Sequence, residues 1–97
     1  MSKNMSIAEV KAKAVPLLRR HGARRAGLFG SVVRGDDRAG SDVDFLVELD
    51  GEQSLLDVIG LKQELEEALG RRVDVVEYDA VKPVIRDRVL LEHVPIL

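Results

Sequence analysis

Polar and apolar positions follow two periods along this chain. Ile7, Val10, Ala14, Leu17 and Leu18 share one helical face, the spacing of an amphipathic helix. Ser6 and Glu9 ahead of it form a capping-box pattern. Pro16 predicts a kink or a restart, and Gly22 a C-cap. Arg24 to Phe29 turns apolar and reads as a first strand. Gly30 to Gly40 is rich in glycine and charge, and predicts a turn, one short helix and a loop. Asp42 to Leu49 is a second strand, closed by an Asp50-Gly51 turn. Leu55, Val58, Ile59, Leu61, Leu65, Ala68 and Leu69 give a broad apolar face for a helix over 55–69. Ser54 is its N-cap, with Asp57 in the first turn. Gly60 weakens it and Gly70 ends it. Arg71 to Tyr78 is β-branched and alternating, a third strand. There Val73 and Val75 point one way, and Asp74 and Val76 the other. Pro83 to His93 is a last helix, with Pro83 tolerated in its first turn. Val84, Ile85, Val89, Leu90 and Leu91 are its packing residues.

The order α-β-α-β-α-β-α predicts an α/β (α+β) fold, a small mixed sheet packed by helices. The 97 residues suggest one domain over 1–97. A chain of this size buries roughly 60–70% of its unfolded surface, enough for one modest core.

The chemistry gathers between Gly27 and Glu48. Gly30 can bring its backbone close to a ligand because it has no side chain. Ser31 adds a hydroxyl that can donate to a phosphate oxygen. A small-residue turn between strand and helix leaves backbone N–H groups free to point at an anion. In a strand beginning at Asp42, Asp42 and Asp44 would project together. Two like charges side by side are unfavourable unless a cation joins them. Mg²⁺ is typically held by one or two carboxylates plus substrate phosphates. Each piece alone has a plainer reading. A Gly-Ser pair is a turn, an Asp-x-Asp is the solvated start of a strand, and Asp74 is an exposed edge-strand position. Their combination is what carries weight.

Gly30-Ser31-x-x-Arg34-Gly35 followed by Ser41-Asp42-x-Asp44 resembles the signature of the DNA polymerase β-like nucleotidyltransferases. The closest likeness is to their minimal, stand-alone branch, the MNT domains. The likeness runs from about the first helix to the C-terminus. It implies a palm-like fold and a nucleoside triphosphate, ATP, at the Gly30-Ser31 turn. It also implies two Mg²⁺ ions on Asp42 and Asp44, with Asp74 as the third carboxylate. These three aspartates are then both the catalytic and the metal-binding residues. Gly30, Ser31, Arg34 and Ser41 are the nucleotide-binding set. Arg34 either contacts phosphate as a cation or pairs with an acid to fix the loop. Ser41 caps or orients the Asp42 backbone. Val33 stands where many relatives have alanine, and predicts a packing change.

The remaining features narrow the class. There is no Gly-x-x-x-x-Gly-Lys-Ser/Thr run and no Gly-x-Gly-x-x-Gly after a strand, so neither a P-loop nor a dinucleotide fold is expected. Cysteine is absent, which excludes thiolate metal sites and fits a cytoplasmic protein. No apolar run reaches bilayer length, and no signal peptide is visible. Fifteen basic residues face 17 acidic ones, net −2, which argues against nucleic-acid binding through bulk charge. Arg19, Arg20, Arg24 and Arg25, with His21, make a local basic cluster. It could face phosphate or an acidic partner, but suits a solvated helix end. His21 and His93 lack partners at metal-ligand spacing and read as surface residues. Tyr78 could stack on a base or cap the edge of the core.

The acceptor is expected from outside the chain, which has room for a donor site and little else. The resemblance implies a helical HEPN protein as partner, with this chain as its antitoxin and a partner tyrosine as acceptor. The alternative is a catalytically silent antitoxin that masks its partner. A nucleic-acid-binding module is a third reading, testable by salt-dependent binding.

Overall fold

The computed structural model describes residues 5–34, 42–51 and 53–97. Helix α1 runs over Ile7–Arg20. The Ser6 hydroxyl accepts from the Glu9 N–H at 3.1 Å, satisfying one of the free donors of the first turn. Val10, Ala14 and Leu18, spaced by four, are its buried stripe. The helix passes through Pro16 without a restart. Pro16 and Ala12, whose carbonyl loses its helical donor, are both exposed, so water can serve that carbonyl. The cap falls on His21, and Gly22 follows it at φ +80°.

Strand β1 is Ala23–Phe29, β2 Val43–Leu49, β3 Val73–Glu77 and β4 Val94–Pro95, in the spatial order β3-β2-β1-β4. β1 pairs antiparallel with β2 and β4, whereas β2 and β3 are parallel. A parallel neighbour needs a crossover, supplied by helix α3, Leu55–Leu69. Ser54 and Asp57 close a full capping box at its start, and Gly70 ends it in the left-handed conformation at φ +67°. Helix α2 is the single turn Ser31–Arg34 and helix α4 is Pro83–Glu92, preceded by a 3₁₀ turn at Tyr78–Ala80.

The sheet sorts its side chains by the two-residue period. Ala26, Leu28, Val43, Phe45, Val47 and Val73 join Val10, Ala14 and Leu18 of α1 and Leu61, Leu65 and Leu69 of α3 in the main core. On the other face Leu46, Tyr78 and Val81 form a smaller cluster, with Phe29, Val76, Val89 and Leu90 packed against it. Asp44 and Asp74 share the parity of Leu46 and Val76, and so belong to that second face.

Three expectations change. The apolar face of α3 is narrower than the sequence implied. Leu55 is 75% exposed, Ile59 and Ala68 are exposed, and only Leu61, Leu65 and Leu69 are buried. Helix α4 buries no residue fully: Val84 and Leu91 are 93% and 86% exposed and Ile85 is exposed, while Val89 and Leu90 do pack. Its apolar residues run around the helix, so one contact line on the sheet can reach only part of them. β4 is an additional strand at the sheet edge. Gly27 makes room for it, because a side chain there would meet His93 Cδ2 at 2.5 Å and the Val94 carbonyl at 3.1 Å. A two-residue strand containing proline has no period to read.

Candidate active site

Phe29 pairs with Asp44, and Asp44 pairs with Asp74, so the three lie in one row across β1, β2 and β3. Directly after Phe29 the chain turns at Gly30, with φ +78°, a conformation that costs little only for glycine. The Gly30 carbonyl accepts from the N–H groups of Val33 at 3.1 Å and Arg34 at 3.2 Å, winding the single turn of α2. The space beside Gly30 is taken by Asp44: a Cβ at Gly30 would collide with Oδ2 and lie 3.3 Å from Cγ. The Gly-Ser turn and the strand acid are thus in contact.

Asp44 is half-buried while Asp74 is exposed. Burial pushes the Asp44 carboxyl up to about 6, with the charges of Asp74 and then Asp42 adding to the rise and Arg34 opposing it. Arg34 therefore acts on this cluster as a nearby cation. Asp42 lies just before β2 and not inside it. It sits 3.4 Å from Arg72 Nε, on the segment leading into β3. The Val43 N–H donates to the Arg72 carbonyl at 2.9 Å, tying the starts of the two strands together. Of the expected site residues, Gly30, Arg34, Asp42, Asp44 and Asp74 are brought to one region. The Ser31 backbone opens α2, and Ser41 lies outside the described residues.

The donor set is all oxygen, which suits a hard cation such as Mg²⁺. Burial first, and then the charges of Asp74 and Asp42, raise the Asp44 carboxyl, and a bound cation would offset them. Among the described residues, no three His, Cys, Asp or Glu side chains are arranged to hold a metal ion. Two carboxylates completed by phosphate oxygens are a sufficient Mg²⁺ site, so the residues fit the ion in the company of nucleotide.

Arg20, Arg24 and Arg25 of the arginine cluster, with His21, are matched from within the chain. Arg20 and His21 both bind Glu64, Arg24 lies 3.9 Å from Asp50 and Arg25 3.9 Å from Glu48. The His21 bond holds Glu64 below the usual carboxylate range. His21 is only partly exposed, and thus links the end of α1 to α3. Tyr78 is a buried cap on the second cluster, with the Arg25 guanidinium 3.9 Å over its ring. That contact crosses 53 residues of sequence and has no local signal.

The chain belongs to the polymerase beta nucleotidyltransferase family, whose model matches residues 12–97. A Methanocaldococcus jannaschii protein assigned as a protein adenylyltransferase is 47% identical over 93 residues, 96% of this chain and all of that one. Protein adenylyltransferase MntA of Thermococcus cleftensis is 46% identical over 78 residues, 80% of this chain and 79% of its own. A solved structure assigned as a minimal nucleotidyltransferase superimposes with a TM-score of 0.81 at 39% identity, covering 97% of this chain and 99% of that one. A toxin–antitoxin crystal structure with AMP-PNP gives 0.79 at 26% identity, covering 90% and 72%. A chain from the structure of a tri-AMPylated Shewanella oneidensis HEPN toxin in complex with MNT antitoxin shares the fold, with a TM-score of 0.71 at 23% identity over 91% and 69%. Among the described residues no helix is long and apolar enough to cross a membrane.

Proposed function

We propose that residues 1–97 act as one minimal nucleotidyltransferase domain that transfers AMP from ATP to a hydroxyl of a partner protein. The partner is a HEPN toxin, the acceptor a tyrosine, and this chain its antitoxin, working in the cytoplasm. The observation that carries the transferase reading is the row Asp44–Asp74 with Gly30 packed on Asp44. It sets a side-chain-free turn beside paired carboxylates, which is what a triphosphate brought in with a cation requires. The names of the relatives, protein adenylyltransferases, support the donor and the reaction class. The toxin–antitoxin neighbour with AMP-PNP supports the partner.

Gly30 and Ser31 would seat the phosphates, with Arg34 and Ser41 completing the nucleotide site. Asp42, Asp44 and Asp74 would hold two Mg²⁺ ions. Bound there, Mg²⁺ supplies neutralisation of the phosphate charge and acidifies the attacking hydroxyl. Asp42 is held near Arg72 in this structure, and would exchange that partner for the cation. Asp74, on the edge strand and exposed, is open to an incoming acceptor. Docking of the partner would orient its hydroxyl and reduce the entropic part of the barrier.

The test is incubation of this protein with its genomic-neighbour partner, Mg²⁺ and labelled ATP. Label on a partner tyrosine, absent with Asp44→Asn, is the expected result. Tight binding to the partner without label or pyrophosphate release would instead mean that the chain acts by masking.

A further inference from the structure

The second face of the sheet holds a cavity of about 290 Å³ that opens beside Asp74. Its walls are Phe29, Val76, Val81 and Val89, all apolar, and its polar lining residues are Asp74 and Lys82. Phe29 immediately precedes the Gly30 turn and pairs with Asp44, so the cavity lies between the strand residue next to that turn and the outer acid Asp74. A dry cavity of about 150 Å³ can hold one aromatic ring, so this one has room for a ring and its substituent.

We infer that this cavity is the seat for the acceptor's aromatic ring, a tyrosine side chain whose hydroxyl is delivered to Asp74. The inference rests on the transferase reading above. A phenol ring is apolar except for one oxygen, and this lining is apolar except at Asp74 and Lys82. A purine carries several ring and exocyclic polar atoms, and apolar walls would leave most of them unpaired. A serine or ribose hydroxyl brings no apolar body to fill the space. In the transfer, the phenolic oxygen forms the bond to the α-phosphorus and the bond from that phosphorus to the bridging oxygen breaks. Pyrophosphate leaves with the electron pair, and the phenolic proton is lost to solvent water at the exposed edge beside Asp74. The Lys82 cation in the lining favours the phenolate form of the acceptor. Exposed Ile85 also lines the cavity, and gives the flanking surface of the partner an apolar contact.

The test uses the whole chain and two readouts. N-acetyltyrosinamide, N-acetylphenylalaninamide and AMP are titrated separately while methyl resonances of Val76, Val81 and Val89 are followed by NMR. Saturable shifts are expected with the tyrosine probe and weaker ones with the phenylalanine probe. Ala80→Trp, at an exposed lining residue, should abolish those shifts and leave ATP affinity unchanged by calorimetry. It should also raise the KM for the partner about tenfold or more. Ile85→Lys should act in the same direction, and melting curves of both variants report folding. Shifts with AMP in place of tyrosine, together with weakened ATP binding in Ala80→Trp, would assign the cavity to the base and overturn the proposal. Absence of shifts with every probe would overturn it as well. Wild-type labelling of the partner that persists unchanged in Ala80→Trp sinks the seat and spares the transfer reading. A tyrosine-specific seat in a wild-type protein that never labels its partner sinks the transfer reading alone.

Discussion

The carboxyl group of Asp44 fills the position that a side chain at Gly30 would occupy, with Cγ 3.3 Å from where a Cβ would stand. The two residues are 14 apart in sequence, and antiparallel pairing of β1 with β2 brings them together. A glycine is demanded here twice, once by φ +78° and once by the neighbouring acid.

Gly30→Val is therefore expected to abolish ATP binding and also to lower stability. Left-handed backbone costs a residue with a Cβ about 1–2 kcal/mol, and displacement of Asp44 adds to it. A fall of several degrees in Tm should accompany loss of calorimetric ATP affinity. Wild-type affinity in a folded Gly30→Val protein would put the phosphates elsewhere.

The metal-free protein should depend on pH through Asp44. Its carboxyl, raised from 3.8 to about 6 by burial, then Asp74 and Asp42, binds its proton more tightly in the fold than in the unfolded chain. Between those two values the native state holds more protons, so stability falls as pH rises. Lowering the pH from 7 through 6 toward 4 should recover on the order of 1 kcal/mol, allowing for the partial solvation of Asp44. Other carboxylates titrate in the same window, so the quantity to measure is the difference between wild type and Asp44→Asn. At pH 7 Asp44→Asn should melt higher than wild type without metal. A lower melting point would mean that the acids do not crowd one another.

Mg²⁺ with ATP should reverse that order. A ligand at 100 times its Kd stabilises the native state by about 2.7 kcal/mol, which for a chain of this size is a shift of roughly 10 °C or more. Asp44→Asn and Asp74→Asn should show little of this shift. Equal shifts in wild type and both variants, read by thermal denaturation with and without EDTA, would remove the aspartates from the metal site.

Tyr78→Phe should be neutral or stabilising. The Tyr78 hydroxyl is buried and has no hydrogen-bond partner among the described residues, and burial raises its pKa. Removing an unsatisfied buried group recovers its desolvation cost, and the ring contact with Arg25 can remain. Chemical denaturation would show a loss above about 1 kcal/mol if the hydroxyl in fact made a bond worth keeping.

Local chemistry was legible in the sequence by itself. The N-cap at Ser54 with Asp57 in the first turn, the stop at Gly70 and the two-residue alternation of β3 each act within a few residues. Their outcomes depend little on what packs around them. The same holds for the Gly30-Ser31 and Asp42-x-Asp44 motifs, whose separation is short and whose residue types suit one chemistry. What only the tertiary structure decided are relationships between distant segments. The sheet order set Asp74 directly beside Asp44 and left β3 at the edge. Limited contact area on the second face left Val84 and Leu91 of α4 in solvent, although their hydrophobicity alone predicted packing. Glu64 drew Arg20 and His21 into pairs across 44 and 43 residues, and Gly27 admitted a fourth strand that no periodicity announced. Side-chain burial is a property of the whole packed chain: a residue's own character sets what it gains from a neighbour, and the fold decides whether a neighbour is there.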